Sequence, residues 1–436
     1  PAYWEVKRVY QHVSFSSTSI LSGLITIHNN YDFTHLGDFE LHWQLMEDGL
    51  VVDQGILGAP NIPPKSSVAV RLPYVIEQFR PGPEHHVLVR LVNPQQQDLL
   101  PAGHIYSEAQ FKVPLPVSKN TPPETADLAP LRASETEETI EIGNNNFSVT
   151  FDRDKGLLSN LNYNGHDSLI SPIKPNTWRA PTDNDFGNYM PDWAAVWEEA
   201  RRNRSVDSIK IVSQKNNSVT VQSVLALSAD DGTVVAKWRS DYTIQADGQI
   251  HFDNHFIRIP NLPVVPRVGL NMELHRSYDN VDWFGRGPHE NYSDRKESAN
   301  LGRYSNTVKD HYVPYLRPQE NGYKTDVRWV ALTGEKAGLL FIADNLISFG
   351  VSHHRLDDLV PPGKNFSFSS EDDPDAHKDK KRINMHVNDL KPRDLISLDI
   401  DFGQMGLGGD DSWGKRTLSQ YSLEETNYRY GFTIVP

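Results

Sequence analysis

The sequence predicts an all-β chain: an immunoglobulin-like β-sandwich followed by a large antiparallel β-supersandwich, with one short helix. Three observations carry this. Short runs from Val13 onward alternate apolar and polar side chains and are punctuated by turn residues about every ten positions, the pattern of half-buried antiparallel strands. One stretch alone shows convincing helical periodicity. Nowhere in the 436 residues do strands and helices alternate, which excludes a TIM-type barrel within this chain.

The first sandwich is assigned to residues 1–116. Its strands are read in GLITIHNNY (23–31), FELHWQLMEDG (39–49), SSVAVRLPY (66–74) and HHVLVRLVN (85–93), and HNNYDF and MEDGLVV fit hairpin connections. Residues 117–135 are read as a linker, because PLPVSKNTPPETADLAPLRAS is rich in Pro, Ser and Thr and has no periodicity.

The second domain is assigned to 136–436. ETIEIGNNNFSVTFDRDKG (138–156) reads as two hairpin strands punctuated by NNN and DRDKG. The helix is PDWAAVWEEARRN (191–203): Pro191 suits a first helical position, and Trp193, Val196, Trp197 and Ala200 fall on one face. Strand patterns then return in SVTVQSVLAL, TVVAKWRSDYTI, QIHFDNHFIRI, VRWVALTG, GLLFIAD and LISLDIDFGQMGLGG. The charged block SSEDDPDAHKDKKR (369–382) is expected to form an exposed loop.

Composition narrows the function classes. The length fits two domains. A net charge of −14 with scattered basic residues argues against a nucleic-acid partner and for a neutral substrate. No apolar run is long enough for a membrane-spanning helix, and PAYWEVKRVY lacks the apolar centre of a signal peptide, so no membrane partner is expected. The absence of Cys removes disulfides, thiolate nucleophiles and cysteine-ligated metals. The His residues form no helical His-x-x-x-His pair beside a Glu, so no metal site is expected. A soluble protein, cytoplasmic or periplasmic, fits, with the compartment undecided. The chain starts without Met and is expected to be cut from a longer protein.

Four segments interrupt the strand pattern with dense polar chemistry: WRAPTDNDFGN (178–188), WFGRGPHENYSDR (283–295), YLRPQENGYKTD (315–326) and GLGGDDSW (406–413). Polar clusters on the loops of a rigid scaffold are where binding sites are placed. Glu290 and Glu320, each followed by Asn, have two readings. One is the acid and nucleophile of a glycosidase, which needs two carboxylates about 5 to 10 Å apart. The other is that Arg286, Arg295 or Arg317 holds each of them ionised to fix a loop. Asp410, Asp411 and Ser412 beside Trp413 have the composition of a sugar site, in which a ring stacks on the pyranose and carboxylates take its hydroxyls. Asp183, Asn184 and Asp185 before Gly187 fit either a hard-cation site or an Asx-rich turn leading into the helix. Calcium would need more oxygen ligands than this run supplies.

Together the four segments resemble the motifs of the carboxy-terminal small-chain domain of beta-galactosidases of glycoside hydrolase family 2, and EVKRVYQHV (5–13) resembles the junction that follows the barrel of those enzymes. The resemblance covers essentially the whole chain. It implies the C-terminal, non-catalytic part of a retaining beta-galactosidase acting on terminal β-D-galactosides, with both catalytic Glu residues on a TIM barrel that is not in this sequence. Neither Glu290 nor Glu320 matches a catalytic position of the family, so no catalytic residue is assigned. Trp413 matches a Trp that stacks on substrate at the active-site mouth, and Gly187 matches the hinge Gly of a mobile loop. Asp183, Asn184, Asp185, Asp410 and Asp411 are supporting loop candidates. The implied partners are a β-galactoside substrate and the barrel part of the same enzyme, with a homo-oligomeric parent. Mg²⁺ and Na⁺ belong to the parent, with ligands on the barrel side; none is expected in this chain. A free-standing galactoside-binding module and a natural small subunit are the alternatives.

Overall fold

A computed structural model describes residues 2–75, 79–97, 99–118, 129–335, 337–359, 386–411 and 414–436. The charged block 369–382, most of the stretch read as linker, and Ser412 and Trp413 lie outside these described residues. The architecture is all-β, with antiparallel pairing throughout the smaller sheets and along the main run of the large one, as the alternation predicts. The expectation of one short helix is corrected: the described residues hold six short α-helices, at Ala2–Val9, Asp183–Gly187, Met190–Trp193, Ala195–Arg202, Val308–His311 and Leu356–Leu359. Capping boxes open two of them, Asp183–Gly187 and Val308–His311, and segments of four or five residues are too short to show periodicity in a sequence.

The chain divides into two compact units. The first comprises 1–119 with 284–288 and 296–304, and the second comprises 120–283, 289–295 and 305–436. In the first unit, Val13–Ser19, Leu24–Asn29 and Ser66–Arg71 form a three-stranded sheet. Leu50–Gly58, Glu40–Glu47, His85–Val92 and Ile105–Lys112 form, in that order, a four-stranded one. Alternate residues point inward: Ile25 and Ile27 from one sheet meet Leu41, Trp43, Leu45, Val87, Val89 and Leu91 from the other in a single buried cluster. Seven strands in two facing sheets give the sandwich its immunoglobulin-like character.

In the second unit a five-stranded sheet runs in the order His166–Asp167, Leu157–Tyr163, Phe147–Asp152, Thr139–Gly143, Arg132–Glu135. Its last strand takes up residues at the end of the stretch read as linker, pairing Ser134 with Glu141. A larger sheet contains a nine-strand run in the order Leu169–Asn176, Arg267–Leu274, Ile396–Gln404, Gly338–Ser352, Asn427–Val435, Ile250–Arg258, Val234–Gln245, Ser218–Ser228, Arg204–Gln214. Lys324–Thr333 pairs alongside Gly338–Ser352.

The predicted helix 191–203 is two helices. Met190–Trp193 starts with Pro191 in its first turn, after Tyr189 in the left-handed region at φ 61°, and Ala194 at φ −110°, ψ 9° separates it from Ala195–Arg202. Trp197 and Ala200 are buried as the periodicity demands, whereas Trp193, on the far side of the break, and Val196 are half-exposed. Trp193 instead donates its indole N–H to Asn188 and carries the Arg416 guanidinium 4.3 Å above its ring.

Candidate functional site

Residues from all four polar segments come together in the second unit, the 283–295 segment through 289–295, and are held by buried polar or ionic contacts. In WRAPTDNDFGN the chain leaves the strand Leu169–Asn176 and turns at once into Asp183–Gly187, with Thr182 as N-cap. The cap is reciprocal: the Asp185 N–H donates to the Thr182 hydroxyl at 3.2 Å and the Thr182 N–H donates to the Asp185 carboxylate at 2.9 Å. Arg179, fully buried, grips Asp185 through two N–H donors at 3.0 and 2.8 Å. The same guanidinium donates to the carbonyls of Met405 at 2.6 Å and Gly406 at 2.9 Å, tying this turn to the start of GLGGDDSW. Asp185 is thus a fold anchor, and in place of the expected Asx-rich turn the run forms a short helix opened by a capping box.

Glu290 has a side chain with no solvent exposure. It accepts from the Arg295 guanidinium, the Tyr315 hydroxyl and, at 2.8 Å, the Gly322 N–H, so one carboxylate joins both Glu-Asn motifs. Gly322 sits at φ +76° with the His311 carbonyl 2.3 Å from where a Cβ would stand, so only glycine can present this N–H. Behind it, Lys324 donates to the Gly322 carbonyl at 2.8 Å and faces the Trp283 ring at 5.5 Å; burial pulls its ammonium down to about 7.

Glu320 is not held by any of the three arginines the sequence offered. Its partner is Arg267 on the strand Arg267–Leu274, at 3.0 Å, with the Gln404 amide at 3.2 Å. Arg267 is fully buried and also meets Asp399 at 2.9 Å and Asp401 at 3.4 Å. One cation among three carboxylates leaves an excess of negative charge. Burial raises the pKa of Glu320 and pushes that of Asp401 well up, with the Arg267 guanidinium opposing both, and the Tyr323 hydroxyl donates to Asp401 at 2.7 Å. Sequence reasoning missed this cluster. Its signal was the Asp-x-Asp of LDIDF, where i and i+2 share one strand face.

In GLGGDDSW the N–H groups of Leu407 and Gly408 donate to Asp294 at 2.6 and 3.1 Å. Gly406 and Gly408 permit this close fit, since a Cβ on them would lie 2.5 Å from the Asp294 carboxyl and 2.7 Å from the Asn184 amide.

Between these loops lies a cavity of about 480 Å³, a size that takes a small ligand. Every one of the four segments contributes: Asp183 and Asn184; Tyr292, Asp294 and Arg295; Tyr315, Gln319 and Glu320; Leu407 to Asp410. Leu418 and Tyr421, which the sequence did not single out, complete it. Of the candidates, Asp183, Asn184 and Asp410 line the cavity. Asp185 is spent on Arg179. Asp411 accepts the N–H groups of Gly414 and Lys415 at 2.9 and 3.0 Å and Gly187 ends its short helix, neither lining the cavity. Trp413 lies outside the described residues.

Mg²⁺, which the resemblance implies for a whole enzyme, has no fitting donor set here: among the described residues no group of three or more His, Asp or Glu could hold a metal ion. No helix of the described residues is long and apolar enough to cross a membrane.

The family model of the beta-galactosidase small chain matches residues 143–434, and that of beta-galactosidase domain 4 matches 25–114. The chain is similar to a beta-galactosidase of Priestia megaterium, 29% identical over all of this chain and 40% of the relative, and to one of Pseudoalteromonas haloplanktis, 27% identical with the same coverage. It therefore spans about 40% of the length of these curated relatives. Among solved structures, a galactose mutarotase related enzyme of Lactobacillus acidophilus aligns at a TM-score of 0.36 and 10% identity, over 68% of this chain and 96% of that one.

Proposed function

Because the chain belongs to the beta-galactosidase small-chain family, we propose that it is the non-catalytic part of a glycoside hydrolase family 2 enzyme that hydrolyses terminal β-galactosides. In this reading it supplies one wall of a pocket whose acid and nucleophile lie on a barrel elsewhere in the parent. The observation that carries it is the convergence of all four motif segments on one cavity whose two motif glutamates are already engaged. Glu290 accepts three donors and Glu320 is ion-paired with Arg267, so both serve the wall. Gly187, at the end of its helix, would act as hinge of the loop it starts. Trp413 would stack on the part of the substrate beyond the galactose.

The test is turnover of a chromogenic β-galactoside by this chain, with Glu290→Gln and Glu320→Gln alongside. Glu320 belongs in the test because it lines the cavity and burial raises its pKa, a property general acids share. No turnover above background is expected. Clear turnover that either substitution abolishes would overturn the reading.

A further inference from the structure

We propose that the cavity is a complete subsite for a neutral saccharide, carried by the second unit alone, with Arg295 as its fixed hydrogen-bond donor and Glu290 as the group that positions Arg295. This rests on the proposed function and names where on this chain a sugar is read.

The argument starts from what the walls leave free. The side chain of Arg295 is one-fifth exposed at the cavity, and one of its terminal nitrogens is taken by Glu290 while its plane lies over the Tyr292 ring at 5.2 Å. The guanidinium is therefore pinned from two sides, with the Tyr315 hydroxyl against it as well, and the N–H groups these contacts leave are presented in a set direction. Acceptors share the cavity with it: Asp183, Asp294, Glu320 and Asp410 all line the same space. The second Asp294 oxygen and the Tyr292 hydroxyl, both on lining residues, have no protein partner. Tyr292, Tyr315, Tyr421, Leu407 and Leu418 supply apolar faces between these polar groups.

Ligand classes separate on this geometry. An anion meets four lining carboxylates, Asp183, Asp294, Glu320 and Asp410, and a single cation already paired with Glu290. A metal ion lacks a converging donor set among the described residues. A sugar hydroxyl both donates and accepts, so it can serve the arginine and the carboxylates at once, while the C–H face of the ring packs on tyrosine.

The experiment is calorimetric titration of this chain with galactose, glucose, lactose and glucuronate, repeated with Arg295→Lys and Tyr292→Phe. Lysine keeps the charge opposite Glu290 but loses the planar fork. Phenylalanine removes a hydroxyl with no protein partner, so the fold survives it. The expected result is saturable millimolar binding of a neutral sugar, weaker or absent binding of glucuronate, and a loss of about tenfold in each variant at unchanged melting temperature, as for a hydrogen bond to a charged or buried group. Loss in Arg295→Lys at an unchanged melting temperature assigns Arg295 a role in recognition, because a merely structural role would lower the melting temperature. Three results would each overturn the proposal: no saturable binding of any neutral sugar, both variants binding as tightly as the unmodified chain, or tighter binding of glucuronate. Silence in calorimetry leaves the role in a larger enzyme standing, whereas turnover by this chain alone would remove that role and leave the subsite.

Discussion

Lys324 offers the sharpest check on how the Glu-Asn loops are supported. Its ammonium is fully buried, donates to the Gly322 carbonyl at 2.8 Å, and has a folded pKa of about 7 against an ordinary 10.5. The unfolded chain therefore holds this proton over a pH range in which the folded chain has released it. Stability must rise with pH between those two values, by about 1.4 kcal/mol per pH unit where one proton separates the states. Below the folded value both states are protonated, and the cost of burying the charge is present in full. Raising the pH from about 7 to about 9 recovers about 2 kcal/mol of it, from the two pKa values. His311 beside it is held neutral over this range, since burial pushes its pKa well below the usual imidazole value. Lys324→Met keeps the length and apolar stem but carries no proton, and it loses the bond to Gly322 at every pH, about 1 kcal/mol. Urea unfolding of both proteins at the two pH values gives the answer. The stability difference, unmodified minus Met, should grow by about 2 kcal/mol on going up. A difference flat with pH would refute the buried, proton-shedding lysine.

Three further outcomes follow from the same anchors. Glu290→Gln removes the charge that Arg295, Tyr315 and the Gly322 N–H all address, and should cost about 3 kcal/mol in urea unfolding, as broken buried pairs do. Arg179→Met strands the buried Asp185 carboxylate and should cost about 3 to 5 kcal/mol, whereas Arg202→Ala, which breaks a more exposed pair with Glu198 four residues before it, should cost less than about 1 kcal/mol. Gly322→Ala forces a Cβ to within 2.3 Å of the His311 carbonyl at a φ of +76°, and should lower stability by about 1 to 3 kcal/mol and weaken sugar binding together, read by thermal melting and calorimetry.

The sandwich strands were legible because period-two burial writes itself into the sequence: LITIHN buries Ile25, Ile27 and Asn29 in strict alternation. The site was legible as four segments and not as contacts. Asp183, Asn184 and Asp410 were found because polar residues in loops stand out, but Leu418 and Tyr421 look like any loop residue until the fold brings them to the cavity. Partner choice was harder still. Arg295, five residues from Glu290, was within reach of sequence reasoning, while Arg267 is 53 residues from Glu320 and sits on a strand, Arg267–Leu274, that the Glu320 loop meets only in the fold. Local spacing favours the nearby cation, and tertiary pairing overruled it. The helix 191–203 fails for a related reason: its periodicity is real, yet Tyr189 and Ala194 take backbone conformations that periodicity cannot register.

The cavity walls are loops, and loops have few ladder hydrogen bonds to fix them, so something else must supply their rigidity. Here it is buried charge. Arg179 with Asp185, Arg267 with Glu320, Asp399 and Asp401, and Glu290 with Arg295 each join segments distant in the chain or pin a turn within one. Buried pairs of this kind add little net stability, because desolvation offsets most of the attraction, but removing one partner is severe. That asymmetry suits a wall: it penalises wrong arrangements more than it stabilises the right one. It also bears on the chemistry of Glu290. A carboxylate whose two oxygens already accept from a guanidinium, a phenol and a backbone N–H has most of its lone pairs committed to the fold, and neither oxygen could attack a sugar without disturbing a bond that holds the loops. The motif in which a glycosidase nucleophile first suggests itself is therefore the one whose carboxylate is least free to act as one.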